Sequence, residues 1–175
     1  MGCIVWLTGI PNSGKSTIAR ALRYSLTLSC HSCFIIDADD LRTGLNSDLG
    51  FTKEDRDENV RRLGEVAIML VNTDLVVIVA CISPYKAARQ KIKEKTGRDR
   101  FLEVFLNAPI DVCRKRDKKN LFARADIGEI KLTGVNDPYE APEGNDVLVL
   151  DTSNLDVTAC ISAIRDELHK RYFIC

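Results

Sequence analysis

The chain has 175 residues, 45% of them apolar and 29% charged, with ten glycines and five prolines. That suffices for one domain with a real core and excludes a disordered, collagenous or low-complexity chain. Twenty-five basic residues against 25 acidic ones leave a formal charge of zero, which argues against a non-specific nucleic-acid or membrane-surface binder.

In chain order, short apolar runs alternate with longer amphipathic ones. Cys3–Leu7 reads as a strand buried on both faces and leads into a glycine loop. Lys15–Leu28 has helical spacing, and Cys33–Asp37 is a second strand that ends in an acidic turn. Thr52–Val71 is predicted as a helix opened by the capping pair Thr52 and Asp55, with Val60, Leu63, Val66, Ala67 and Leu70 on one face. Val76–Ile82 is the third strand, Tyr85–Lys95 the next helix, and Phe101–Asn107 the fourth strand. Ile110–Arg116 is helical, Val147–Asp151 is the fifth strand, and Val157–Arg171 closes the chain as a helix.

Residues 118–145 break this alternation. The stretch is polar, carries Gly128, Gly134, Pro138, Pro142 and Gly144, and is too long for an ordinary connection, as lids and binding loops are. No apolar run reaches the roughly 18–20 residues of a membrane span. The first residues show no basic region or cleavage site of a secretory leader, so a cytoplasmic location is expected.

Seven cysteines at 3, 30, 33, 81, 113, 160 and 175 are an odd and scattered set, a poor disulfide framework. Cys30 and Cys33 have C-x-x-C spacing. They follow a helix instead of opening one, and His169 is the only histidine besides His31, so small apolar filler is the simpler reading. Cys175 is the thiol expected to oxidise on storage.

The strongest motif is Gly9-Ile10-Pro11-Asn12-Ser13-Gly14-Lys15-Ser16, followed by Thr17, which matches G-x4-G-K-[ST] between a predicted strand and helix. Its glycines let consecutive N–H groups turn inward onto phosphate, and the helix N-terminus adds positive potential. Lys15 would reach the β- and γ-phosphates of ATP, and the Ser16 hydroxyl would ligate Mg²⁺. The fold expected is therefore α/β: a P-loop NTPase-type, doubly wound, parallel five-stranded sheet flanked by helices. Residues 1–175 form one domain in this reading, with a lid at about 118–145.

Asp37, Asp39 and Asp40 follow the second strand, beside the phosphate loop in such a fold. Carboxylates there can hold Mg²⁺ or take a proton from an acceptor hydroxyl. Arg42, Arg56, Lys86 and Arg89 begin near strand ends and suit an anionic second substrate; Arg61 and Arg62 read as solvated helix surface. Phe51 either stacks on a base or staples the following helix. The residues by themselves describe a small kinase with an anionic acceptor.

Several strings resemble the adenylylsulfate kinase family, from about Ile4 to Leu150: Asp37–Asn46, Leu49–Asn59, Ile82–Tyr85, Gly128–Lys131 and Asp137–Pro142. The resemblance implies ATP and Mg²⁺, transfer to the 3′-hydroxyl of adenylylsulfate within sulfate assimilation, and a homodimer. It implies Asp39 near the 3′-hydroxyl and Mg²⁺ as base or orienter, supported by Asp37, with Lys15 on the transferred phosphate. Arg42, Arg56 and Asn59 would hold the acceptor, Phe51 would stack on its adenine, and Ile82 and Ser83 would line the pocket. Lys119 and Leu132 would belong to the lid. Ser83 also matches a serine marked in the family as a phosphoserine intermediate, which direct in-line transfer does not need.

Six departures from the family pattern stand out: Ala38 for glycine, Asp40 for asparagine, Thr43 for a histidine or glutamine, Asn120 for glycine, Asp126 for a lid arginine, and a lid one residue short near Leu132. They leave open a kinase for another anionic nucleotide, such as cytidine diphosphoramidate. A non-catalytic nucleotide-binding protein is opposed by intact Lys15, Ser16, Asp37 and Asp39.

Overall fold

The computed structural model describes residues 2–171, 173 and 174, so Cys175 lies outside the described residues. Five parallel strands, β1 (Cys3–Thr8), β2 (Cys33–Asp37), β3 (Val76–Ala80), β4 (Phe101–Asn107) and β5 (Val147–Asp151), form one sheet in the order β2-β3-β1-β4-β5. The helices are α1 (Lys15–Leu28), α2 (Ala38–Leu41), α3 (Lys53–Val71), α4 (Lys86–Thr96), α5 (Ile110–Lys115), α6 (Leu121–Asp126) and α7 (Val157–Lys170).

Every residue of β1 is buried, and the strand's pleat divides them between two cores. Cys3, Val5 and Leu7 meet Leu22 and Leu26 of α1 and Ile164 and Leu168 of α7. Ile4 and Trp6 meet Val60 and Leu63 of α3 and Ile92 of α4, and Trp6 stacks on Phe101 with ring centroids 5.8 Å apart. Burial on both faces explains why the inner strands read as unbroken apolar runs. Parallel pairing sends all carboxyl ends to one edge, where β1 delivers the glycine loop.

Three differences from the expected elements have physical causes. β3 stops at Ala80, because the Ile82 carbonyl turns to accept from the Thr8 hydroxyl at 2.7 Å. The four-residue α2 and a 3₁₀ turn at Arg98–Arg100 are too short to show a period. The stretch before β5 is less irregular than expected: α6 buries Phe122 and Ala125 in a small third core with Cys113 and Leu132.

All six described cysteines are free. Four are buried filler, but Cys30 is exposed and Cys33 half-buried, which corrects the filler reading for that pair. Among the described residues, no helix is long and apolar enough to cross a membrane.

Thr52 caps α3: its hydroxyl accepts from Asp55 N at 3.2 Å, and Asp55 Oδ2 accepts from Thr52 N at the same distance. Thr52→Ala should therefore lower stability by about 1 kcal/mol, read as a lower urea midpoint with unchanged slope.

Candidate active site

The glycine loop leaves β1 through Gly9, at φ 152°, where an added Cβ would lie 2.6 Å from Ser13 Oγ and 2.7 Å from the Leu106 carbonyl. No side chain fits there. Gly14, at φ 104°, stands at the N-terminus of α1 and leaves the helix's first N–H groups facing the loop. Pro11 and Ser13 are buried beneath it, Ile10 and Asn12 half-buried, and Thr17 is exposed. The Thr152 hydroxyl donates to the Ser13 carbonyl at 2.9 Å, so the residue after β5 braces the loop.

Lys15 Nζ donates to the Gly9 and Ile10 carbonyls, each at 2.8 Å. Burial lowers its pKa to about 8, against the opposing pull of Cys81, Asp39 and Asp37. The Ser16 hydroxyl donates to Asp37 Oδ2 at 2.7 Å, while Asp37 Oδ1 accepts from Asp39 N at 3.1 Å and caps α2. Ala38 opens that helix, where the backbone has no need of glycine, and Asp39 and Asp40 stay exposed. A hydroxyl and carboxylates grouped beside a phosphate loop are hard oxygen donors, the set that Mg²⁺ takes together with phosphate. The residues fit that ion.

On the far side of α2, Arg42 lies 4.3 Å over the Phe51 ring and Arg56 at 5.7 Å from it. Arg42 donates to the Leu49 and Gly50 carbonyls, each at 3.1 Å, which fixes the loop that presents Phe51. Phe51 is 60% exposed, and the residue a staple would need, four positions into α3's end, is Arg56. The ring is an exposed plate flanked by cations. Arg56 pairs with Asp137 at 2.9 Å, and Asn59, buried one turn on, accepts from Asn46 Nδ2 at 2.9 Å.

Ser83 follows β3 with φ 41°, in the left-handed region that a non-glycine residue seldom occupies. Its hydroxyl accepts from Trp6 Nε1 at 3.0 Å and donates to Thr8 Oγ1 at 3.1 Å; Thr8 in turn holds the Ile82 carbonyl. Tyr139 OH sits 3.0 Å from the same Thr8 oxygen. The partners of Ser83 Oγ are thus an indole, a hydroxyl and, at 3.4 Å, the Cys81 carbonyl, none of them a base.

The other cations divide differently from expectation. Arg89 is 1% exposed and ion-paired with Glu103 at 2.8 Å, so it meets no anionic ligand; Lys86 reaches Glu143 at 3.3 Å. Arg61 pairs with Glu58 and Arg62 with Asp48 and Glu58, as solvated helix surface should. Lys119 is exposed, and its backbone N–H donates to Asp117. Leu132 packs into the third core, which also holds Ala108 just past β4 and meets Ile10 of the phosphate loop.

The departures in residues 118–145 are locally accommodated. Asn120 takes φ 55°, which asparagine tolerates better than most residues. Asp126 accepts both guanidinium nitrogens of Arg114, at 2.6 and 2.8 Å. Asn136 closes the shortened turn: its Oδ1 accepts from Leu132 N, and its Nδ2 donates to the Ala125 and Ile130 carbonyls.

The family model for adenylylsulphate kinase matches residues 1–150. The chain belongs to this family. It is 45% identical over 170 residues to the adenylyl-sulfate kinase of Enterobacter sp. (strain 638), covering 97% of this chain and 84% of that protein. The adenylyl-sulfate kinase of Lactiplantibacillus plantarum is 41% identical over 172 residues, 98% of this chain and 83% of the relative. Among solved structures, the Mycobacterium tuberculosis APS kinase in complex with AMPPNP and APS superposes with a TM-score of 0.88 at 38% identity, over 96% of this chain and 98% of that one.

Sequence reasoning missed Trp6, Thr8, Asn46 and Asp137 as parts of this kinase site. Trp6 read as an ordinary strand residue and Thr8 fell between the expected strand and the glycine loop, while Asp137 lay inside a quoted motif without a role of its own.

Lys15 generates a proton-linkage prediction. Phosphate beside Lys15 favours its charged form, so ATP binding at pH 8.5 should take up a fraction of a proton. Calorimetry in buffers of different ionisation enthalpy reads it, and uptake should fade toward pH 7, where Lys15 is already protonated.

Proposed function

We propose that this chain is an Mg²⁺–ATP-dependent adenylylsulfate kinase, transferring the γ-phosphoryl group of ATP in line to the 3′-hydroxyl of adenylylsulfate. ADP and 3′-phosphoadenylylsulfate are the products, as sulfate assimilation requires. The observation that carries this reading is the placement of Phe51 between Arg42 and Arg56, on the strand-end edge that also holds Lys15, Ser16, Asp37 and Asp39. One half supplies an aromatic plate and cations for an anionic nucleotide; the other supplies a cradle for a triphosphate. Family membership with relatives named as adenylyl-sulfate kinases supports the same acceptor.

In this reading the backbone N–H groups of Gly9–Thr17 hold the phosphates, and Lys15 exchanges its carbonyl partners for the β- and γ-oxygens. Ser16 and Asp39 would hold Mg²⁺, which when bound neutralises charge on the phosphates. Asp39 orients the 3′-hydroxyl and accepts its proton as the new oxygen–phosphorus bond forms and the β–γ bridge breaks. Asp37 keeps Ser16 and the first turn of α2 in place. Arg42, Arg56 and Asn59 hold the acceptor, and Phe51 stacks on its adenine.

Ile82 and Ser83 line the acceptor pocket through their backbone, and transfer is direct, without a phosphoserine. Residues 118–145 act as the lid, bringing Lys119 and Leu132 over the nucleotides. A cytoplasmic location belongs to the same reading, in keeping with six free thiols among the described residues.

The deciding experiment incubates the purified protein with ATP and Mg²⁺, with and without adenylylsulfate, and weighs the products by mass spectrometry. Adenylylsulfate-dependent 3′-phosphoadenylylsulfate and ADP are expected; ATP binding without product would move the reading to another anionic nucleotide. Asp39→Asn should lower kcat about 10²-fold or more while ATP still binds. Phe51→Ala should raise the acceptor KM about tenfold or more and leave the ATP KM nearly unchanged, since a stacked base loses its platform.

A further inference from the structure

Arg89 is one of the largest fully buried side chains of the molecule, and nothing in the proposed chemistry uses it. Its guanidinium spends three nitrogens on three different pieces of chain. Nε donates to Glu103 Oε1 on β4 at 2.8 Å, Nη1 to the Ser83 carbonyl at 2.6 Å, and Nη2 to the Glu140 carbonyl at 2.8 Å. Glu103 is itself 7% exposed, with Lys93 Nζ at 3.9 Å from its second oxygen. A buried charge pair is retained where both partners are satisfied, and this one is.

Both carbonyls belong to segments that shape the acceptor side. The Ser83 carbonyl is on the residue held at φ 41°, next to Ile82, and such a backbone persists only where its surroundings over-determine it. Trp6 and Thr8 hold the Ser83 side chain, and Arg89 holds its carbonyl. The Glu140 carbonyl lies three residues beyond Asp137, the partner of Arg56. Between them Tyr139 touches Thr8, and Glu140 is further tied by its N–H to the Pro84 carbonyl and by its carboxylate to the Lys86 N–H. Residues 137–140 are therefore fastened to residues 83–86, with Arg89 at the crossing.

We propose that Arg89 is a positioning residue for the acceptor pocket. It fixes the Ile82–Ser83 backbone directly and the Asp137–Arg56 pair through residues 137–140, and it touches neither nucleotide. The inference rests on the acceptor pocket assigned above. Lysine would keep the charge beside Glu103 but offers a point charge in place of the planar fork, so it cannot hold both carbonyls and the carboxylate in the same geometry.

The test is two-substrate steady-state kinetics on Arg89→Lys beside the unaltered protein, with thermal melts of both. The expected result is a near-normal melt, an adenylylsulfate KM raised about tenfold or more, and an ATP KM within about twofold of the original. Unchanged KM values for both substrates, or equal rises in both, would overturn the inference and leave Arg89 a structural residue. Where Arg89→Lys fails to fold, Glu140→Ala decides, because it removes an exposed carboxylate from the same fastening. A rise confined to the acceptor KM sustains the proposal, and no selective rise overturns it. Absence of adenylylsulfate-dependent turnover in the unaltered protein would instead remove the functional reading, and the inference with it.

Discussion

Burial of β1 on both faces is the constraint on which the rest of the molecule depends. Its odd residues anchor one core and its even residues the other, so the strand cannot slide by one residue without exchanging every side chain between them. That register fixes where Thr8 ends and Gly9 begins. The same strand carries Trp6 to the indole–hydroxyl contact that orients Ser83 and places Thr8 beneath Ile82 and Tyr139. A single apolar strand thus sets the phosphate loop and one wall of the acceptor side together.

The zero net charge conceals a marked division among the arginines. Those on the outer face of α3 and within residues 114–129 are matched by nearby surface carboxylates, and such exposed pairs contribute little stability. Arg89 is paired in the interior, where the pairing is obligatory. Arg42 remains apart from these. Its hydrogen bonds go to backbone carbonyls and its face lies over Phe51, and among the described residues it makes no ion pair with a carboxylate.

This division shows what was legible in the chain alone. The parallel sheet was legible because strands buried on both faces become uninterrupted runs of Val, Ile and Leu, and four of the long helices carry clear periods. The phosphate loop was legible because its chemistry demands a fixed spacing. Arg89 was misassigned because a strand-end position looks alike for a ligand cation and a buried one; only the fold brings Glu103 within reach. The α6 helix hid within a polar stretch, since six residues with two buried side chains make no period. Asp126 looked like a cation lost from the lid, yet Arg114 stands twelve residues away in sequence to meet it.

The stretch 118–145 returns directly against the phosphate loop. An added Cβ at Gly134, whose φ is 85°, would lie 2.6 Å from Ile10 Cγ2, and Ile10 packs against the small core of Phe122 and Leu132. Loop and returning segment therefore share an apolar contact with no room for a methyl group at Gly134. Separating them would expose more of the half-buried Ile10, at about 25 cal/mol for each Å² of apolar surface uncovered. Phosphate loop and returning segment are thus joined by an apolar seam whose grip weakens as the solution is cooled.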